Sequence, residues 1–275
     1  MSQEKSSEKS YVIGTHDAEI ARLGVQHRVW RASVLELWAA AGIANGQTVI
    51  DIGAGPGYAS LDLAEIVAPS GKVIAVERSH RFLAALKAFA AARGLANIET
   101  TEADLLDYDW PEALADAAWC RWVLAFVPEP AKVLAGAARA LKPGGKLVIQ
   151  EYYDYASWRL APPSALFEGY VAKIIARWRK SGGEADIGLA LPALLPAAGF
   201  EIKSVRAMVF AAQMHDFAAE WPMGFAREYI PVMVADGDIT SAEGRAIAEL
   251  LDRSASDPHA LMITPGVLQI VALKT

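Results

Sequence analysis

The sequence predicts an α/β fold: a mostly parallel, seven-stranded sheet with helices on both faces, an N-terminal helix and a helical lid. Short strand segments are expected at residues 48–52, 72–77, 97–102, 117–122 and 146–151, all but 97–102 of them apolar runs, with helical periodicity between most of them. Runs that are apolar on both faces are what a parallel sheet enclosed by helices requires, and right-handed crossovers follow from chain sterics. Two further runs, 201–210 and 267–273, bring the strands to seven. The third observation is chemical. Residues 49–57 read Val-Ile-Asp-Ile-Gly-Ala-Gly-Pro-Gly, a strand that breaks into alternating glycines, and the next apolar run, from Val73, ends in the acid Glu77.

Bulk properties narrow the class. A chain of 275 residues can bury a sizeable core, as one large domain or as a domain with an insertion. Its net charge of −6, with acids and bases interspersed, argues against a nucleic-acid partner, which calls for a basic patch. The single cysteine, Cys120, sits in an apolar run and reads as core packing. With no internal disulfide and no metal cluster available, a reducing cytoplasm fits best and no metal is expected. Residues 1–10 are polar and charged and read as a disordered tail rather than a signal peptide. No run of eighteen apolar residues exists, so no membrane span is expected.

Along the chain, residues 17–41 place Ile20, Leu23, Trp30, Val34, Leu37, Trp38 and Ala41 at helical spacing, and Gly42 stops the pattern. This helix precedes the sheet and should lie over the glycine turn. Helices are expected at 57–67, 80–93 (capped by Ser79) and 130–141. After Glu151 the composition turns aromatic. Residues 166–179 carry an amphipathic pattern that ends at Gly182 and Gly183, and 189–198 form another helix before Gly199. Thr240-Ser-Ala-Glu243 is a capping box opening a helix over 241–253.

Gly53, Gly55 and Gly57 let a backbone turn approach a ligand with no Cβ in the way. Glu77, at the end of the neighbouring strand, suits a ribose diol, since a carboxylate accepts two hydroxyl hydrogen bonds. Together they point to a nucleoside-containing cofactor. A dinucleotide fingerprint would place its third glycine where this chain has Tyr58. Asp51, beside the turn, would repel a pyrophosphate and suits a cofactor carrying an ammonium and a sulfonium.

At these residues the chain resembles the class I S-adenosylmethionine-dependent methyltransferases, whose first motif is an acid followed by G-x-G-x-G. The resemblance spans roughly residues 11–210 and is strongest over 47–151. It takes in Asn97–Asp104, Ala117–Val127 and Leu141–Ile149, the last like the helix–turn–strand signature before strand five. It implies a Rossmann-like class I methyltransferase fold, S-adenosyl-L-methionine as cofactor, and a last strand antiparallel to the one near 201–210. In it, Asp51 and the turn Gly53, Ala54, Gly55 and Gly57 hold the aminoacyl part, Glu77 the ribose and Asp104 the adenine amino group, with Arg78, Ala103 and Leu105 also among the cofactor-binding residues. Tyr11 and Trp122 are aromatic candidates to face the sulfonium, and Arg121 should meet the cofactor's carboxylate or Asp51. Residues 11–275 then form one domain: an N-terminal helical segment (11–46), a cofactor core (47–151) and substrate or lid insertions (152–187 and 211–262).

The segments 152–187 and 210–231 hold half of the aromatics (8 Trp, 8 Tyr and 8 Phe in all) in about a fifth of the chain. They fill satellite cores or form a lid over an apolar acceptor pocket, with Trp122, Tyr152, Tyr153 and Trp221 as lining candidates. The expected reaction is methylation of a small, apolar or aromatic metabolite by in-line displacement at O, N or C. No dedicated nucleophile is required, and no general base can be assigned. The five histidines, His16, His27, His80, His215 and His259, are isolated in sequence, which leaves His215 and Glu151 as candidate bases. Neither an N/D-P-P-Y/F motif nor a Pro-Cys pair occurs, against amide, adenine-amino and cytosine C5 methylation. An NAD(P)-dependent oxidoreductase and a cofactor-binding fold without turnover are the rival readings. The oligomeric state stays open, a homodimer included.

Overall fold

The computed structural model describes residues 14–275, so Tyr11 and the expected tail 1–10 lie outside the described residues. In chain order the elements are α1 (Asp17–Ala40), β1 (Thr48–Ile52), α2 (Tyr58–Val67), β2 (Lys72–Glu77), α3 (His80–Ala92) and β3 (Ile98–Glu102). There follow β4 (Ala115–Arg121), α4 (Pro130–Ala140), β5 (Leu141–Asp154), β6 (Arg159–Ala161), α5 (Ala165–Lys180) and α6 (Leu191–Ala197). The chain closes with β7 (Phe200–Met208), β8 (Ala211–Gln213), α7 (Glu220–Ala235), α8 (Ser241–Ser256), β9 (Leu261–Ile263) and β10 (Gly266–Lys274).

Seven strands form one sheet in the order β3-β2-β1-β4-β5-β10-β7. The first five are parallel, and β10 runs antiparallel between β5 and β7. Chain direction reverses its spatial progression between β1 and β4, which puts a ligand crevice at the carboxyl ends of those strands. Cross-strand register sets Asp51 opposite Trp119 and Arg121 opposite Gln150. Because side chains alternate along a strand, Asp51, Trp119, Arg121 and Gln150 share one face.

That face is covered by α1. Trp38 of α1 meets Trp119 edge-on, with ring centroids 5.2 Å apart. The carboxyl half of α1 buries Trp30, Val34, Leu37 and Trp38, as its periodicity requires. The amino half departs from expectation, because it buries Glu19, Gln26 and His27, polar groups that need partners on the elements beneath. The helix starts behave as the sequence suggests. Ser79 Oγ accepts the Phe82 N–H, and Thr240 with Glu243 forms a complete capping box.

Two parts of the fold were not anticipated. A second sheet, β6-β9-β8, is antiparallel and only three residues deep per strand, too short to carry a periodicity. Helix α7 contains Pro222, Gly224 and Pro231, which mask a helical pattern. Its burial of Trp221, Met223, Ala226, Tyr229, Ile230 and Met233 outweighs that propensity. The small sheet, α5 and α7 enclose Trp158, whose Nε1 donates to Met262 Sδ at 3.0 Å, and α8 packs on α5 and α7 to complete a cap. Lys173 with Glu243, and Arg177 with Asp236 and Asp238, tie α5 to the other cap helices and their connection. Among the described residues no helix is long and apolar enough to cross a membrane.

Candidate active site

The three glycines of the turn after β1 all have left-handed backbones, with φ of +67°, +56° and +83°, yet each is there for a different reason. A Cβ on Gly53 would stand 2.5 Å from Val123 Cγ2, so Gly53 admits the loop after β4. A Cβ on Gly57 would stand 2.2 Å from Leu86 Cδ1, so Gly57 admits α3. Only Gly55 looks onto open space, with no atom within 4 Å of its virtual Cβ. The expectation that all three leave open space beside the turn is therefore corrected: the missing Cβ of Gly53 and of Gly57 makes room for packing, and only that of Gly55 leaves open space. Tyr58, which takes the place of a dinucleotide-type glycine, packs its ring where α1 has Gly24 and donates its hydroxyl to the Ile20 carbonyl at 3.0 Å.

Glu77 braces this turn. Its carboxylate accepts the Gly55 N–H at 2.9 Å and the Ser79 N–H at 2.8 Å. It thus shapes the glycine turn from the end of β2. Ala54 is held through its N–H on the Val76 carbonyl at 3.0 Å, and Ala103 through its N–H on the Glu77 carbonyl at 3.1 Å. Asp104 is half-buried and accepts the Leu106 N–H at 3.1 Å, Leu105 is buried, and Arg78 is exposed. All follow the carboxyl ends of β2 and β3, beside the glycine turn.

Around the carboxyl ends of β1 and β4 lies a set of polar side chains drawn from four elements, α1, β1, α2 and β4. Asp51 accepts the Ser60 hydroxyl at 2.6 Å, and burial raises its carboxyl to about 6. Arg121 donates from Nη2 to His27 Nδ1 at 3.1 Å, while its Nη1 is enclosed without a hydrogen-bond partner. Desolvation lowers its guanidinium to about 10, with Asp51 and Asp62 pulling the other way. His27 Nε2 lies 3.0 Å from Asp62 Oδ2, and Asp62 also takes Arg31 Nε at 2.7 Å. His27 and Asp62 went unrecognised in the sequence, since thirty-five positions separate them and nothing local links an α1 histidine to an α2 aspartate.

Next to Arg121 the aromatic side chains converge. Trp122 is the one non-glycine residue of the site with a left-handed backbone, φ +50°, a conformation that costs about 1–2 kcal/mol. The Trp122 ring lies 5.5 Å from Tyr152 and 5.4 Å from Trp221, nearly parallel to both, and 5.6 Å from Trp30 edge-on. Arg121 sits 5.2 Å from its centroid. Trp221 is anchored by donating Nε1 to Gln26 Oε1 of α1 at 3.1 Å. Trp122, Tyr152 and Trp221 are therefore brought together, and Trp30 joins them from α1, which the sequence placed over the glycine turn without singling out Trp30 for the site. Tyr153 is not part of the group. It points to the other side of β5, where Gly188 and Gly266 make room for it.

The two candidate bases fare differently from expectation. His215 lies in an exposed turn after β8. Glu151 is fully buried, and its Oε1 accepts the N–H groups of Val123 and Leu124, both at 2.7 Å. Burial raises this carboxyl to about 8, against the pull of those backbone donors. Its geometry is that of a brace for the loop that carries Trp122 and Val123, with no donor or acceptor atom left exposed for proton transfer. Cys120 is buried, and desolvation pushes its thiol well up, as packing requires. Among the described residues no three His, Cys, Asp or Glu side chains converge as a metal site would.

Residues 43–181 match the family described as a methyltransferase domain, and the chain belongs to that family. A curated relative is the ubiquinone/menaquinone biosynthesis C-methyltransferase UbiE of Saccharophagus degradans, 28% identical over 148 residues that make up 50% of this chain and 58% of that protein. The chain spans about half the length of the curated relatives it matches. Among solved structures, a Bacillus halodurans protein assigned as a methyltransferase has a TM-score of 0.61 at 16% identity, covering 88% of this chain and 99% of that one. The cyclase SpnF has a TM-score of 0.57 at 21% identity, covering 89% of this chain and 80% of that one. At these identities both likenesses speak for the fold alone. The family's cofactor, S-adenosyl-L-methionine, suits the residues present: open space over Gly55, a carboxylate at the end of β2, and an enclosed Arg121 Nη1 in need of an anionic acceptor.

Proposed function

We propose that this chain transfers a methyl group from S-adenosyl-L-methionine to a small, planar, apolar or aromatic metabolite. The observation that carries the reading is the ring wall of Trp30, Trp122, Tyr152 and Trp221 standing beside Arg121, at the carboxyl ends of β1 and β4 where Asp51 and the open Gly55 turn also lie. When bound, the cofactor supplies an electrophilic methyl carbon on a sulfonium centre.

The chain's own residues bind, orient and desolvate. Asp51 offers negative charge to an ammonium, and Arg121 Nη1 offers a donor to a carboxylate. Glu77 offers its carboxylate to a ribose diol, with Arg78, Ala103, Asp104 and Leu105 around the nucleoside. The aromatic wall holds a flat acceptor against the methyl group and keeps water away, which is where a displacement of this kind draws its rate. Burial drives the Tyr152 phenol far above its ordinary range, so it remains a neutral hydroxyl and can orient an acceptor but not deprotonate one. Neither His215 nor Glu151 is placed to act as a base. The reading therefore favours acceptors whose reacting atom needs no strong base. UbiE, by name a C-methyltransferase, makes electron-rich aromatic carbons the first to try.

The cap segments 152–187 and 210–231 act in this reading as the lid over the acceptor, within one domain of residues 11–275 and in a reducing cytoplasm. The test is a mass-spectrometric screen of small aromatic and apolar acceptors with S-adenosyl-L-methionine. Methylated product together with S-adenosylhomocysteine supports the reading. Cofactor binding with no methylated product from any acceptor class favours a fold that binds without methyl transfer, and binding of NAD in its place overturns the cofactor assignment.

A further inference from the structure

We propose that His27 is a positioning residue: its neutral imidazole aims the Arg121 guanidinium at the carboxylate of the cofactor's amino-acid part. This inference rests on the cofactor reading above and adds to it the device that makes Arg121 usable.

A guanidinium has only donors, so the 3.1 Å contact between Arg121 Nη2 and His27 Nδ1 makes Nδ1 the acceptor. The ring hydrogen is then on Nε2 and is donated to Asp62 Oδ2 at 3.0 Å. One tautomer therefore satisfies both contacts, and it is the neutral one. Asp62 in turn is fixed by Arg31, through Nε at 2.7 Å and Nη2 at 3.3 Å. A chain Arg31–Asp62–His27–Arg121 thus runs from the protein surface to the carboxyl end of β4, where Arg31 is half exposed and His27 and Asp62 are buried.

The choice of partner has a consequence. A carboxylate in the place of His27 would orient Arg121 equally well but would neutralise it. A neutral nitrogen orients it and leaves the full positive charge for an incoming anion. Nη1 of the same guanidinium is enclosed and unpartnered, while Asp51 spends its Oδ2 on Ser60. The groups facing His27 are Asp62 and Tyr58 from α2, Arg121 from β4 and Arg31 from its own helix, with the Tyr58 ring stacked 6.0 Å away. Desolvation holds the imidazole below its ordinary pKa, the two arginines add to that, and Asp62 opposes it. Protonation would remove the acceptor and set a second cation against Arg121.

The experiment compares wild type, His27→Phe and His27→Gln by calorimetry with two probes. S-adenosylhomocysteine carries the amino-acid carboxylate, and methylthioadenosine has the same nucleoside and sulfur without it. His27→Phe should weaken S-adenosylhomocysteine by about ten- to a hundredfold and leave methylthioadenosine within about twofold. His27→Gln, which can accept from Arg121 and donate to Asp62 as the imidazole does, should keep near wild-type affinity at about pH 8. From about pH 8 to about pH 5 wild type should lose more S-adenosylhomocysteine affinity than His27→Gln, since only the imidazole protonates. Asp51 titrates in both proteins and cancels in that comparison. Equal weakening of the two probes by His27→Phe, or parallel pH curves for wild type and His27→Gln, overturns the proposal. If His27→Phe fails to fold, the pH comparison alone decides. Failure of wild type to bind either probe would remove the cofactor reading itself, a result distinct from the other two.

Discussion

Gly55→Ala separates the glycine that faces open space from its two neighbours. At φ +56° an alanine pays about 1–2 kcal/mol for the left-handed backbone, partly offset by about 0.4–1 kcal/mol from a stiffer unfolded chain. Nothing lies within 4 Å of the added methyl, so no packing cost is added. The net, about 1 kcal/mol, is a loss of roughly 2–4 °C in Tm for a domain of this size. Gly53→Ala and Gly57→Ala carry the same backbone cost plus overlap with Val123 at 2.5 Å and Leu86 at 2.2 Å. Overpacking of that kind adds about 1–3 kcal/mol, more at Gly57, where the Leu86 Cβ is itself only 2.8 Å away and the whole helix must shift. Thermal unfolding should therefore order the variants as Gly55→Ala, then Gly53→Ala, then Gly57→Ala. Calorimetry with S-adenosylhomocysteine should find binding weakened most severely, relative to stability lost, in Gly55→Ala, and abolished in Gly55→Val. A well-folded Gly55→Ala that binds like wild type would refute the placement of the cofactor over this turn. A Gly55→Ala as unstable as Gly57→Ala would refute the claim that Gly55 faces open space.

Glu77→Ala leaves the Gly55 and Ser79 amides without their acceptor, so it should cost about 1–3 kcal/mol in denaturant unfolding and about ten- to a hundredfold in S-adenosylhomocysteine affinity; unchanged affinity would remove Glu77 from the site. Glu151→Ala should destabilise by about 1–3 kcal/mol by orphaning the Val123 and Leu124 amides, whereas Glu151→Gln keeps an acceptor for both. The folded-state pKa of Glu151 is raised from 4.5 to about 8, so its contribution to stability is complete below the unfolded value and is lost as pH rises through about 8. Wild type should accordingly lose ground to Glu151→Gln between about pH 5 and about pH 9, and a pH-independent difference would sink that assignment. Asp51, raised by burial to about 6, is ionised only above that pH, so affinity for the cofactor's ammonium should rise as pH climbs through about 6, and in Asp51→Asn the rise should shrink to the part that His27 contributes. Trp221→Phe, which drops the hydrogen bond to Gln26 and thins the ring wall, should lower kcat/KM for the acceptor with cofactor affinity kept within a few fold. Tyr153→Phe, on the far side of β5, should leave both unchanged.

Much of this molecule was legible as a sequence because its signals are local. The parallel strands announce themselves as apolar runs, Ser79 and Thr240 as caps, and the β1 turn as glycines that break a strand. Asp51 and Glu77 could be tied to the same crevice because a βαβ unit with a right-handed crossover leaves little choice about where consecutive strand ends lie. Where local signals conflict or run short, the reading failed. Helix α7 hides behind two prolines and a glycine, and three-residue strands have no period to detect.

What only the tertiary structure decided is which side chains meet. Three glycines identical in sequence divide into two that accommodate Val123 and Leu86 and one that faces open space, since what a missing Cβ makes room for depends on the other elements. Glu151, a candidate base by position, becomes a brace because the loop after β4 folds its amides back onto it. Tyr152 and Tyr153 are neighbours in the chain and opposites in space, because successive side chains on a strand point to opposite faces. His27 is an ordinary histidine on a helix until α2 and β4 bring Asp62 and Arg121 to its two nitrogens. The sequence by itself determined the backbone scaffold and the cofactor edge, because periodicity and turn chemistry act over a few residues. The polar chain and the aromatic wall arise between elements far apart in the chain, where packing alone selects the partners.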